Sequence, residues 1–528
     1  MSVAEARSFF SDVAEEAQGS DSQGLARFWI GIRLDDNAVE INAFYNADHD
    51  DLMREDLERT ILTKCVFGVF AEEPDGEEVR NAALSYCWGG EQVFRTTTQN
   101  IVQNQTWINF QDLPQTIKDA VVVTENLGLR HLWVDALCII QDDEGDKACE
   151  IDLMGYVYEN AEVTIAASRA ERVQEGFLQD LTPYGHNKQD WVFKMHYRDL
   201  ANQIGPIILA PKYFRPPADY LSKRAWAFQE RLLSRCILEY SGACVHWTCQ
   251  THNDCDRRGG RCSVRQLEKN TKISRGLLYL NESVTEKTWH TLVDEFSNRS
   301  LTFPEDRLPA IGGIAERFGL QSENQYLAGI WRLHLPWGLL WIVDTFAEKT
   351  PQPQPQLQAS AYVAPSWSWA STIRPINGSV FVHPGISRAY IVRANVKAPA
   401  EGATYGKVIY GSLTLRGFVT PVDWELPKKT KGYSNGYISS IPSVDICRDS
   451  VEASFLTGGI TTVRAYLLVL VASSDMQDVT GLILCQNSDQ TYCRKGVFHI
   501  PRCPADKKKF PNLAGSFLNR NMEEVTII

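Results

Sequence analysis

The chain has 528 residues, 44% of them hydrophobic and 22% charged, and a formal net charge of -12. Its length calls for two or three domains, and its balance is that of an ordinary soluble globular protein. The acidic surplus excludes a general nucleic-acid binder, whose footprint would be basic, and no apolar run reaches the ~18 residues of a membrane span.

The opening MSVAEARSFF carries early acids and no hydrophobic signal core, so the expected location is cytoplasmic. Thirteen cysteines then read as reduced thiols rather than a disulfide framework. The short basic runs Lys428–Lys431 and Lys507–Lys509 read as solvated surface.

Residues 1–60 are acidic and weakly patterned, an N-terminal arm with one helix over Ala4–Gln18 and a solvated loop at Asp48–Asp51. Leu62–Ala71 and Arg80–Cys87 read as strands on either side of the acidic turn Glu72–Glu78. The second strand runs into Tyr86-Cys87-Trp88-Gly89-Gly90. Paired glycines reach backbone conformations closed to other residues, so this loop can approach a ligand or another backbone closely.

The densest signal follows, from Leu113 to Ser168. Ile117, Ala120, Val121, Thr124 and Leu127 make one apolar stripe of a helix that starts at Pro114 and ends at Gly128. His131–Ile140 (HLWVDALCII) reads as a strand covered on both faces. Its one interior charge, Asp135, needs a partner or a place near the strand's end. A second helix over Glu144–Asn160 carries Ile151, Met154, Val157 and Tyr158 on one face, and Glu162–Ser168 is a further strand. Strands separated by helices favour parallel pairing, with ligands beyond the carboxyl ends. That puts Gln141, Asp142, Asp143, Ser168 and Arg169 around a cleft.

Phe177–Tyr220 is irregular. Ala227–Leu233 reads as a helix on which Trp226 and Glu230 share a face, with Gln229 beside them, and Cys236–Tyr240 as a strand. An Arg224–Glu230 bond bracing the sheet is the structural reading of that segment. Thr288–Asn298, Pro309–Phe318 and Tyr326–Trp341 all carry helical spacing, a helical middle. The Pro-Gln repeat Pro351–Gln356 is an extended spacer. From Ala361 the pattern turns to β, with strands at Ala389–Val396, Gly406–Leu415, Ala465–Ala472, Gly481–Gln486 and Thr491–Ile500. The domain division is thus 1–60 (arm), 61–240 (α/β), 241–350 (Cys/His-rich loop and helices) and 360–528 (β-rich).

Chemistry has several candidate seats. Asp135, Asp142, Asp143, Asp146 and Glu150 form an acidic cluster. Cys138, with His131 or Cys87 as partners, has the residue types of a thiol nucleophile, yet it lies in an apolar run where thiols are inert. Cys244, His246, Cys249, His252, Cys255 and Cys262 are dense enough for a structural zinc. Without the paired CxxC form, a strand end followed by a polar loop stands as the alternative.

Ala83–Gly90 (ALSYCWGG), Leu113–Ser168 and Arg224–Ser234 (RAWAFQERLLS) resemble, in order, three blocks of the fungal heterokaryon-incompatibility (HET) domain. Similar pieces follow at Leu301–Ala315, Tyr326–Trp341 and Ala364–Ser371. The resemblance implies a small parallel, TIR-like sheet flanked by helices. It also implies a cytosolic role in self/non-self recognition and programmed cell death, with self-association or a partner HET-type protein. HET domains have been compared with Toll/interleukin-1 receptor domains, some of which hydrolyse NAD with a glutamate on a helix. By that resemblance the glutamate is Glu150. The residues around the cleft then give Asp135 and Asp142 as further catalytic acids and Tyr86, Trp88, Gly89, Ser168, Arg169, Trp226, Gln229 and Glu230 as substrate-side candidates. The tryptophan such patterns carry three or four residues earlier is replaced by Lys147 and Asp146. The other readings are an enzyme of specialised metabolism acting on a hydrophobic small molecule, and a non-catalytic scaffold.

Overall fold

Asn81–Ser85 (β1, NAALS) is buried at every position, as a central strand covered on both faces must be. The computed structural model to which it belongs describes residues 80–179, 219–249 except 243 and 244, 286–344 except 321–323, 362–378, 385–399, 403–426, 437–449 except 442 and 443, 461–501 except 476 and 477, 517 and 520–528, with strand backbone at 33–35, 38–40, 193–198, 204–209 and 253–255. The expected helix Ala4–Gln18, the loop Asp48–Asp51, the strand Leu62–Ala71, the Pro-Gln spacer and both basic runs lie outside the described residues. The chain divides into two units, Met1–Gly276 and Leu277–Ile528.

In the first unit β1 pairs in parallel with His131–Trp133 (β2) on one side and Val163–Ala166 (β3) on the other. Ile237–Tyr240 (β4) continues the parallel set beside β3. Val245–Thr248 (β5) and Asn253–Cys255 (β6) then add antiparallel edge strands. The order is β6-β5-β4-β3-β1-β2.

Gln115–Asn126 (α1) begins after Pro114 and buries Ile117, Ala120, Val121 and Thr124, the stripe its spacing predicts. Glu144–Asn160 (α2) is capped by Asp143, whose carboxylate accepts from the amides of Gly145 and Asp146. It packs against Trp226–Leu233 (α3). The sheet's core joins Ala82, Leu84, Leu132, Trp133, Val163 and Ile165 to these helices. One expectation is corrected here: β2 stops at Trp133, and Asp135–Cys138 is a single helical turn rather than more strand. A carboxylate inside a fully covered strand would lack partners, whereas outside the sheet Asp135 accepts from the distant Trp88 indole.

In the second unit Glu286–Ser297 (α4) buries Trp289, Leu292, Val293 and Phe296, and Pro309–Leu320 (α5) follows, as their periodicity requires. The third helix expected in this middle segment does not form. Tyr326–Trp341 is instead a tight hairpin, Tyr326–Leu327 against Ile330–Trp331, followed by two 3-10 turns. Gly329 explains the departure. It sits at φ 96°, and its carbonyl accepts the indole N–H of both Trp289 (2.9 Å) and Trp369 (2.8 Å). Tryptophan anchoring outweighs helical spacing here.

The remaining strands form one β structure. Tyr410–Leu426 (β8) is long enough to serve two partners. Its residues 413–418 pair with Met522–Ile527 (β13), and 419–426 with Thr461–Ala472 (β10). Val479–Gln486 (β11) and Tyr492–Ile500 (β12) continue from β10, and β12 meets β13 at Tyr492 and Ile527. These five strands close a ring, which removes the open edges of a flat sheet. Tyr390–Lys397 (β7) adds to the outside of β8, and Asp445–Arg448 (β9) to β12.

Gly329→Ala should therefore destabilise the second unit. A Cβ there would stand 2.5 Å from the Trp369 ring on a left-handed backbone, a conformation costing about 1–2 kcal/mol before any clash. Calorimetry should show a melting temperature lower by several degrees, on the order of 2–4 °C per kcal/mol. An unchanged melting temperature would show that the turn bears no such constraint.

Candidate functional site at the carboxyl edge of the parallel sheet

The chain grows from β1 outward in both directions, to β2 on one side and β3 on the other. Crossover loops part at such a point and leave a crevice beyond the carboxyl ends of the strands. Every parallel strand delivers a polar group to that edge: Ser85 ends β1, Asp135 follows β2, Ser168 follows β3, and Glu239 lies within the last turn of β4.

One network centres on Arg224. Its guanidinium donates to the carbonyl of Tyr86, while the Ser85 hydroxyl donates to the Glu230 carboxylate on α3. Trp88 donates its indole N–H to Asp135 Oδ2 at 2.9 Å, and the Ala136 amide donates to Oδ1 at 2.6 Å. Burial pushes Tyr86 well above the usual phenol range, helped by the charge of Asp135. Burial does the same to Tyr158, which feels Glu230 and Asp135 and donates to the Leu84 carbonyl at 3.0 Å. Burial also raises Asp135, against the opposing pull of Arg224. Burial works against the charge of Arg224 as well, and Cys87, Glu230 and Asp135 more than restore it.

A second network lies one strand over. Ser168 donates to Glu239 Oε1 at 2.6 Å, and Arg231 pairs with the same oxygen. Burial opposes the Glu239 charge, yet Arg231 and Ser168 together hold its carboxyl below the usual range. Asp219 moves the other way, raised by burial and by the neighbouring Glu239. Two carboxyls in one network are thus set apart in acidity, the arrangement from which acid and base roles are built.

Glu150 is on the buried side of α2, in a stripe with Asp146, Met154 and Tyr158. As a crossover helix α2 runs antiparallel to the strands, and Glu150 lies about 12 Å of helix rise from Tyr158 toward the carboxyl edge. Lys147 pairs with Glu144 at 3.1 Å. Asp146 accepts from the Ile140 amide at 2.7 Å.

The expected residues therefore sort into groups. Tyr86, Trp88, Asp135 and Glu230 come together around Arg224, and Ser168 belongs to the Glu239 network. Asp142 is exposed, both its oxygens taken by the amide (2.7 Å) and hydroxyl (2.8 Å) of Thr98. Arg169 donates to the Gln179 carbonyl. Trp226 packs on the core, and Gln229 is buried. Gly89 has φ 72°, and a Cβ there would stand 2.4 Å from the Arg172 side chain, so the loop approaches another segment of this unit.

The thiols are quiet. Cys138 accepts from the Val134 amide at 3.3 Å, and burial pushes Cys87 up to about 11. Of the metal candidates, His246 is buried opposite Glu239 and Cys255, and Cys249 packs on the core. Cys244, His252, Cys262 and the Cys255 side chain lie outside what is described, and no three metal-ligating side chains converge among the described residues.

Ser85, Tyr158, Asp219, Arg231 and Glu239 are the participants sequence reasoning missed. Glu239 had a signal: it is the single charge in an apolar strand, ILEY, the mark that drew attention to Asp135.

Separately, the second unit holds a small recess of about 20 Å³ walled by Trp289, Trp331, Trp341 and Trp369, with His290 and His334 beside them. Burial lowers His290 to about 4, and His334 adds to the effect.

The Glu239 network gives a pH signature. A carboxyl whose folded pKa is depressed contributes stability above its unfolded value, about 4.3, and loses it as pH falls through the folded value. Glu239→Gln, which leaves Arg231 without its counter-charge, should cost on the order of 3 kcal/mol near neutral pH. The gap to the wild type should narrow below pH 4. Urea unfolding at pH 7 and pH 3.5 measures it, and a pH-independent difference would mean that Glu239 is not ionised in the folded chain.

No helix among the described residues is long and apolar enough to cross a membrane. Comparison with curated proteins and with solved structures returned no match. Residues 82–230, from β1 to the Glu230 carboxylate on α3, match the family model described as "Heterokaryon incompatibility protein (HET)". That segment is similar to the HET domain, and the carboxyl edge just described is built largely from it.

Proposed function

We propose that the chain is an effector of heterokaryon incompatibility, acting in the cytoplasm through hydrolysis of NAD or a related nucleotide by its HET domain. The supporting observation is the burial of Glu150 in the first half of α2, the half nearer the edge where Tyr86, Asp135, Arg224 and Glu230 meet. A surface glutamate paired with Lys147 would have argued against it, but Lys147 is engaged with Glu144.

Cleaving a nicotinamide–ribose bond develops oxocarbenium character, which a carboxylate held out of bulk water stabilises strongly. Glu150 supplies that charge. The half-buried Trp88 indole, fixed by Asp135, is the aromatic wall that Lys147 cannot be. Asp142, tied to Thr98 at the surface, is left with a loop-bracing role. The trigger in this reading is contact with a second copy or another HET-type protein.

An alternative is an enzyme of specialised metabolism that holds a small hydrophobic molecule; the tryptophan-walled recess of the second unit, about 20 Å³, is water-sized and does not favour it. Trp367, fully buried, is not among its walls.

Incubation of the purified chain with NAD separates these readings. Nicotinamide release is expected from the wild type, and Glu150→Gln should lower it by 100-fold or more, the order seen when one transition-state charge partner is lost. Release that persists in Glu150→Gln would remove Glu150 from the chemistry, and no release from the wild type would remove NAD.

A further inference from the structure

Cys485 on β11 and Cys493 on β12 are register partners, directly opposed across an antiparallel pair. Both are thiols, and both are only partly buried, so solvent and small oxidants reach them. Directly opposed residues put their side chains on the same face of the sheet. Their Cα atoms are about 4.5–5.5 Å apart, within the roughly 4.4–6.8 Å that a disulfide spans.

The register is not free to slip. The joining turn is closed by the Asn487 amide on the Thr491 carbonyl at 2.8 Å, and Asp489 accepts from the Thr491 amide and hydroxyl at 3.0 and 2.6 Å. On the far side, Arg494 follows Cys493 directly and is held by Asp449 and by the carbonyls of Leu339 and Trp341.

We propose that Cys485 and Cys493 are a redox modification site, a dithiol that peroxide-class oxidants convert to a cross-strand disulfide. One thiolate attacks the peroxide: an S–O bond forms, the O–O bond breaks, and hydroxide leaves and takes up a proton as water. The second sulfur attacks the resulting sulfenic acid: the S–S bond forms, the S–O bond breaks, and a second water leaves. Two thiols lose two electrons and one peroxide becomes two waters. Opposed Cβ atoms in a sheet stand at or beyond the usual disulfide spacing, so the bond carries strain and is readily reversed by a thiol reductant. The inference is independent of the chemistry assigned to the HET domain.

The sequence makes the test simple. No Lys or Arg lies between Arg464 and Arg494, so trypsin releases both cysteines in one peptide, Ala465–Arg494, with no other cysteine in it. The folded full-length chain is treated with hydrogen peroxide, alkylated with iodoacetamide and digested. The peptide should lose both labels together and appear about 2 Da lighter than its reduced, unlabelled form, with dithiothreitol restoring both labels. In Cys485→Ser the remaining thiol cannot close the bridge, so the 2 Da deficit should vanish, leaving Cys493 labelled or carrying added oxygen. A wild-type peptide that keeps both labels under excess peroxide, that gains oxygen at each sulfur without the paired loss, or that is cross-linked to a different cysteine peptide overturns the proposal.

Discussion

The guanidinium of Arg224 is the constraint on which the carboxyl edge of the parallel sheet depends. Two carboxylates, Asp135 and Glu230, and two phenols, Tyr86 and Tyr158, share its neighbourhood, largely out of water. Without a cation among them, the two acids would repel and each would pay its full desolvation cost. Arg224 also fixes the backbone, because its bond to the Tyr86 carbonyl holds the first residue beyond β1 in place. Everything downstream on that loop, from the Trp88 indole on Asp135 to Gly89 against Arg172, follows from this anchor. A planar, permanently charged donor fork suits the task in a way a lysine would not.

Much of the scaffold around that anchor is legible in the sequence because it obeys local periodicity. The boundaries of α2 and the apolar stripe of α1 follow from spacing, capping and breakers alone. So do β7, β10, β11 and β12 of the second unit, whereas β9, β13 and the far half of β8 are not among the expected strands. What periodicity cannot see is a tertiary partner. HLWVDALCII is apolar enough for one long strand, yet the chain leaves the sheet after Trp133 so that Asp135 can meet Trp88. Tyr326–Trp341 has helical spacing, but two distant indoles, Trp289 and Trp369, converge on the Gly329 carbonyl and hold a hairpin there. In both cases the overriding contact comes from residues about 40 or more positions away.

The site divides along the same line. Tyr86, Trp88, Asp135 and Glu230 were accessible to sequence reasoning because each sits in a block with a recognisable pattern. Ser85 and Tyr158 were not, since a serine at a strand end and a tyrosine on an apolar helix face look structural until their hydroxyls find Glu230 and Leu84. The second unit repeats the lesson with Arg494. Nothing in TYCRKG suggests a guanidinium fully out of water, held by Asp449 at 2.8 Å and lying 3.4 Å over the Trp341 ring. That one side chain ties β12 of the ring to the turns that follow the Tyr326 hairpin, which local sequence cannot foretell.

Where a fold departs from local consistency, the departure needs a reason, because buried charge is costly and well-packed apolar side chains of similar volume would often serve stability better. In the first unit such departures gather at one edge: a strand cut short for Asp135, two serine–carboxylate bonds, two arginines turned inward, and carboxyls driven apart in acidity at Asp219 and Glu239. At the opposite, amino-terminal ends of the same strands Arg80 and Glu162 form an exposed ion pair at 3.0 Å and Thr164 bonds Ser234, whereas the charges at the carboxyl edge are largely buried. A network kept only to hold the sheet together would not need ionised members concentrated at the end where parallel sheets bind ligands. The difference in burial of those charges is the physical argument for seeking function at the carboxyl edge.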